Sequence, residues 1–144
     1  MTEDSFDIDD LYGFEVCLRD MDEMLALAGE SRNDKALRYA LVKTFELTFE
    51  MAFKALRKYF LAKTTKSDEA ATFDFQDMIR LADQEGLVLT GWPEWKEFRA
   101  NRSKTVHTYG EAIALQITSH LQNFSAECHT LLSNLQQRVG GKRG

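Results

Sequence analysis

The sequence predicts an all-α fold, a helical bundle of about five helices expected to pair with a second copy. Three observations carry the helical part of this reading. One proline and eight glycines in 144 residues leave few chain breakers. Apolar residues recur at three- and four-residue steps along most of the chain, the spacing of one helical face. No segment convincingly follows the two-residue alternation of a half-buried strand.

The elements follow in order. Leu11, Phe14, Leu18, Met21, Leu25 and Ala28 form the stripe of a first helix from about Asp9 to Ala28, ended by the stretch Gly29 to Asn33. A second helix starts near Asp34 with Asn33 as its N-cap. Its stripe is Leu37, Leu41, Phe45, Phe49, Ala52, Phe53, Leu56 and Phe60, with Leu47 and Met51 adding apolar surface beside it. So much apolar girth suits a central helix that buries one face in its own core and another against a second copy. Residues 63–72 read as a loop. Asp74 caps a third helix over Phe75 to Glu85, with Met78, Ile79 and Leu81 inward and Gly86 as terminator. Pro93 suits the first position of a fourth helix carrying Trp95, Phe98 and Arg99 toward Arg102. A fifth runs from Glu111 to Val139 on Ile113, Ile117, Leu121, Phe124, Cys128, Leu131, Leu132 and Leu135. The domain division is an acidic disordered segment at 1–8, the bundle at 9–139 and a flexible tail at 140–144.

Composition is that of an ordinary globular domain, 44% hydrophobic and 28% charged. The net charge of −5 sits in the first ten residues, which hold Glu3, Asp4, Asp7, Asp9 and Asp10; the remaining acids and bases balance at 18 each. A local basic cleft is therefore compatible with the charge, and an RNA substrate is neither favoured nor excluded. Cys17 and Cys128 lack CxxC spacing and read as buried free thiols, with a single disulfide as the alternative. The N-terminus is acidic, unlike a signal peptide, and the apolar runs are too short to span a bilayer. A cytoplasmic protein is expected.

The stretch Arg102-Ser-Lys-Thr-Val-His-Thr-Tyr-Gly110 joins the last two helices. Thr108 to Glu111 has the S/T-x-x-E form of a capping box, which places His107 just outside the final helix. On one continuous helix, positions five apart point about 140° apart. A break between Arg102 and His107 would let them converge. Free N–H groups at a helix start attract phosphate. Arginine grips it with two parallel hydrogen bonds, and histidine moves a proton near neutral pH. Together they suit cleavage of an RNA backbone by its own 2′-hydroxyl, chemistry that DNA lacks. One histidine does not easily serve both sides of a phosphate, so two copies around a twofold axis are expected to complete the set. From residue types alone, a cap and a surface salt bridge explain the same residues.

The R-x4-H-x-Y pattern of Arg102, His107 and Tyr109 resembles the signature of HEPN-domain proteins, in the branch called nucleotidyltransferase substrate-binding-like or HepT-type toxins. The segment from Tyr39 to Lys54, with its paired glutamates, looks like that branch's second helix, and Trp95 to Tyr109 like its fourth helix and motif; the resemblance covers roughly residues 10–137. It implies an all-α, up-and-down helical bundle, four-helix-bundle-like and homodimeric, with a ribonuclease site at the dimer cleft, built from the Arg102 and His107 of both chains. It implies a partner nucleotidyltransferase of the MNT type acting as antitoxin. In such pairs the partner can attach AMP from ATP to the motif tyrosine, Tyr109 here, and adding bulk and negative charge there would block a phosphate site. The chain itself needs no cofactor; ATP belongs to the partner. An older interpretation makes such proteins the substrate-binding subunit of a nucleotidyltransferase. Two positions depart from the pattern: Ser103 stands where Asn, Asp or His is usual, and Gly110 where Asp is common.

Glu46 and Glu50, four apart, repel by a few tenths of a kcal/mol. They either orient Arg102 or Arg99 or lie on a solvated face with Glu50 offset by Lys54. Supporting site residues are therefore Ser103, Glu46, Glu50 and Arg99. His120 and His129, nine apart, suit no simple metal site. Trp92 and Trp95 read as packing residues rather than base-stacking ones. Lys54, Arg57, Lys58, Lys63 and Lys66 read as a solvated basic face or, alternatively, an RNA path. No Ser-His-Asp pattern is apparent.

Overall fold

The computed structural model describes residues 6–29, 35–63, 74–107 and 116–143, with the side chains at 29, 106, 107 and 140–143 excepted. A 3-10 helix at Ile8–Leu11 leads into α1 (Tyr12–Gly29); α2 (Lys35–Lys63), α3 (Phe75–Gln84), α4 (Trp92–His107) and α5 (Leu121–Arg143) follow. The described residues contain no strand, so the all-α bundle is observed. None of the described helices is long and apolar enough to cross a membrane. As expected, α2 is central, touching α1, α3, α4, α5 and the 3-10 helix.

The stop signals act through local hydrogen bonds. Asp74 accepts from the Asp77 N–H at 2.8 Å and donates its own N–H to the Asp77 carboxylate, a reciprocal cap at the start of α3. At the other end Gly86 has φ 72, a left-handed turn that costs glycine nothing. Its N–H donates to the Asp83 carbonyl and the Leu87 N–H to the Ala82 carbonyl, the paired bonds of a Schellman ending. At α4 the Gly91 N–H donates to the Glu94 side chain, and the helix begins at Trp92. Pro93 therefore occupies the second position rather than the expected first, where its missing N–H still needs no helical partner.

Four boundaries differ from the sequence reading. Phe6 lies in the core, its ring 5.6 Å from that of Tyr59, so the fold begins inside the acidic segment read as disordered. The helix expected to stop near Arg102 continues through His107. The helix expected to run unbroken from Glu111 is interrupted by a turn at Ser119 and His120, and α5 then carries past Val139 to Arg143. The Ser119 hydroxyl donates to the Gln116 carbonyl at 2.7 Å, competing with the helical ladder at that turn. The expected cap Asn33, the capping box of Thr108 and Glu111, and Lys66 lie outside the described residues.

The core is built around aromatic rings from four helices. Phe124 of α5 is fully buried, with Phe45 of α2 and Phe98 of α4 each at 5.0 Å between centroids and Trp95 at 6.2 Å. Phe49 bridges to Phe75 of α3 at 5.3 Å. Trp92 and Trp95 both join this packing, so the packing reading of the two tryptophans holds. Both cysteines are free; Cys128 is buried, whereas Cys17 is only partly so. Burial, with Glu127 and Asp22 nearby, pushes the Cys128 thiol well up, which keeps it protonated and inert.

Two polar anchors, one buried and one partly exposed, carried no sequence signal. The Glu127 carboxylate, 1% exposed, accepts the backbone N–H groups of Leu89 and Thr90 and the Thr90 hydroxyl. It ties the α3–α4 connection to α5. At the far end of the bundle, Glu85 takes Lys63 at 2.9 Å and Arg138 at 3.3 Å, and the Tyr59 hydroxyl joins them. Lys63 and Lys58, which bonds Asp10, thus spend part of the basic run on ion pairs within the fold.

Partial burial pushes the Glu85 carboxyl up, but the Lys63 hydrogen bond and charge, with hydrogen bonds from Arg138 and Tyr59, outweigh it and hold the group below its ordinary value. A carboxyl lowered by folding stabilises the native state above its unfolded pKa, and the contribution fades as pH falls through the folded one. Acidification below the ordinary carboxylate range is therefore expected to remove it. Glu85→Gln should start roughly 1–2 kcal/mol less stable at neutral pH and show a flatter acid limb in urea denaturation. Parallel acid limbs for variant and parent would show that this network does not set the acid response.

Candidate functional site

The site is the seam between α2 and α4. Glu46 and Glu50 lie one turn apart on α2, and Arg102 and Thr105 one turn apart on α4. The helices run antiparallel here, so the later residue of one pair meets the earlier residue of the other. Arg102 Nη2 donates to Glu50 Oε2 at 2.9 Å. Its Nη1 lies 3.7 Å from Glu46 Oε2 and 3.4 Å from the Thr105 hydroxyl. The Thr105 hydroxyl in turn contacts Glu46 Oε2 and the Arg102 carbonyl. Lys43 approaches the other Glu46 oxygen at 3.7 Å.

Burial grades across this seam. The Glu46 side chain is 11% exposed, Arg102 22% and Glu50 53%. Glu46 is held inside by a buried hydroxyl and two cations, the partners a buried carboxylate needs. The glutamates repel each other less than their spacing implies because one guanidinium spans both. The chemical result is a guanidinium fixed at the rim of the bundle, with its planar face set by α2.

Of the sequence-derived candidates, the structure brings together Arg102, Glu46 and Glu50. Arg99 does not join them: its guanidinium stacks over the Phe75 ring at 5.5 Å, a packing contact one turn away. Ser103 is exposed. His107 is described only as the last residue of α4, and Tyr109 lies outside the described residues. The expected break between Arg102 and His107 is absent. Their positions therefore stand about 140° apart around one helix axis.

Thr105 was missed. It lies inside the R-x4-H motif, and only its burial against Glu46, 59 residues earlier, shows what it does. A second missed cluster joins α1 to α5: Asp22 accepts the Ser125 hydroxyl and contacts His129 Nε2, each at 2.6 Å. Serine and histidine here both bond the aspartate and not each other, so no serine is activated by a histidine. Among the described residues no three His, Cys, Asp or Glu side chains gather as a metal-ligand set.

The family model for "Nucleotidyltransferase substrate binding protein like" matches residues 9–137. The chain belongs to this family. The protein named "Probable ribonuclease HepT" from Haemophilus influenzae is 27% identical over 97 residues, covering 67% of this chain. The match spans 66% of that relative's own length. Among solved structures, a Haemophilus influenzae protein described as having the fold of a substrate-binding domain of a nucleotidyltransferase superimposes with a TM-score of 0.77. It is 18% identical, and the match covers 85% of this chain and 96% of that one. The nucleotidyltransferase substrate-binding-like fold is thus shared along nearly the whole described bundle.

Proposed function

We infer that this protein is a metal-independent endoribonuclease of the HEPN type, the toxin of a toxin–antitoxin pair with an MNT-type nucleotidyltransferase. The observation that carries the reading is Arg102, held at the bundle rim by Glu46 and Glu50 and standing first in the R-x4-H-x-Y motif. Similarity to a protein named as a probable ribonuclease supports it.

In this mechanism the 2′-oxygen of RNA attacks the adjacent phosphorus as His107 takes its proton. The bond to the 5′-oxygen breaks, and that oxygen leaves with a proton returned by a second His107. Arg102 holds the phosphate and stabilises the charge gathering on it. One continuous helix carries Arg102 and His107 on different sides, which is a reason for a homodimer to supply a complete set. In the cytoplasm the partner enzyme, using ATP, transfers AMP to Tyr109 and closes the cleft with bulk and charge.

Purified protein incubated with RNA in EDTA is expected to leave 2′,3′-cyclic phosphate ends, and His107→Ala is expected to leave RNA intact. Cleavage retained by His107→Ala would remove the mechanism. Intact mass measured with partner and ATP should rise by one AMP and stay unchanged in Tyr109→Phe; an unmodified parent protein under those conditions ends the control scheme.

Ser103 favours a second reading. A short hydroxyl stands where the motif usually carries Asn, Asp or His, reaching less far and carrying no charge. In that reading the chain is a non-catalytic substrate-binding or regulatory subunit of a nucleotidyltransferase, and RNA stays intact in the same assay.

A further inference from the structure

Glu46 and Glu50 carry the same charge one turn apart on α2, yet their surroundings differ. Glu46 is nearly buried, contacts the Thr105 hydroxyl and stays 3.7 Å from the guanidinium. Glu50 is 53% exposed and takes Arg102 Nη2 directly at 2.9 Å. A phosphate grips arginine through two parallel N–H···O bonds along one edge of the guanidinium. Nη1 already leans toward Glu46 and Thr105, and Nη2 is occupied by Glu50. Nη2 carries two hydrogens, but a phosphate oxygen drawn to it meets the Glu50 carboxylate, of like charge, at close range.

We propose that Glu50 is an internal competitor at this site: its carboxylate occupies a guanidinium donor of Arg102 that an anionic ligand would otherwise use. It swings into solvent when a phosphodiester binds, while Glu46 and Thr105 keep the arginine in place. Exposure gives Glu50 somewhere to go. Glu46 has no such exit, because leaving Thr105 would strand a buried charge. The competitor role rests on the ribonuclease reading for the identity of the anion. It predicts opposite signs for two neighbouring glutamates.

The test is equilibrium binding of a fluorescent 2′-O-methyl RNA oligonucleotide, which lacks the attacking hydroxyl and stays uncut. Glu50→Gln is expected to bind about twofold to fivefold tighter, the range of an exposed ion pair. Glu46→Gln is expected to bind more weakly, and Thr105→Val, which removes the same contact without changing shape, to match it. Glu50→Gln should bring no gain in an Arg102→Ala background. Unchanged or weaker binding by Glu50→Gln overturns the proposal. So does an equal gain without Arg102, which would be a plain loss of negative charge. Parental affinity in both Glu46→Gln and Thr105→Val overturns the division of roles.

Cleavage of ordinary RNA, run alongside, judges the nuclease separately. Tighter binding by Glu50→Gln with no cleavage by any variant keeps the competitor and ends the nuclease reading. Cleavage by the parent with no gain from Glu50→Gln does the reverse.

Discussion

Arg102→Ala is expected to slow RNA cleavage by about a hundredfold to a thousandfold, the cost of removing one preorganised donor from a developing anion. The loss should fall on the chemical step in single-turnover measurements, because in the proposed mechanism the arginine's fork meets the charge that builds in the transition state. Arg102→Lys keeps a positive charge but not the planar fork and should recover only part of the rate. Folding has to be watched in the same experiment. Removing the guanidinium leaves Glu46 with Thr105 and the more distant Lys43. A melting curve separates a collapsed seam from lost chemistry. Parental cleavage rates in a folded Arg102→Ala protein would end the assignment of this residue.

The largest effect on stability is expected at Phe124. Its ring is fully buried and packs against rings from α2 and α4. Phe124→Ala opens a cavity that three helices cannot close together, at about 3–5 kcal/mol. That is a large share of the roughly 5–15 kcal/mol that holds a typical domain folded. Phe124→Leu, which keeps most of the volume, should cost about 1–2 kcal/mol. Urea denaturation reads both. Equal midpoints for the alanine variant and the parent would mean that the aromatic cluster is not the keystone its geometry indicates.

Much of the bundle was legible because helices announce themselves locally. The stripes of α1 and α2, the Asp74 cap and the Gly86 stop all depend on residues within one or two turns. The length of α4 was not legible for the same reason in reverse. Ser103 to His107 offers no apolar period, and what holds Thr105 inside is Glu46 on another helix. The break at Ser119 interrupts a stretch whose apolar spacing continues across it, so periodicity alone ran straight through. In the site, the cost of placing Glu46 beside Glu50 did point to a cation. Choosing Arg102 over Arg99 was a tertiary matter: the two sit one turn apart on α4, and Phe75 claims Arg99. Glu127 was invisible because a carboxylate beside Cys128 on an apolar stripe makes sense only once Leu89 and Thr90, nearly forty residues earlier, fold onto it.

That carboxylate limits how the chain can vary. The Leu89 side chain is 59% exposed, so what is gripped there is main chain and not an apolar plug. Side-chain substitutions at Leu89 should pass with little consequence. Adding or deleting one residue between Leu87 and Leu89 would instead shift both amides off Glu127 and leave a buried carboxyl without those partners. The length of this connection is therefore expected to matter more to stability than the side chains along it.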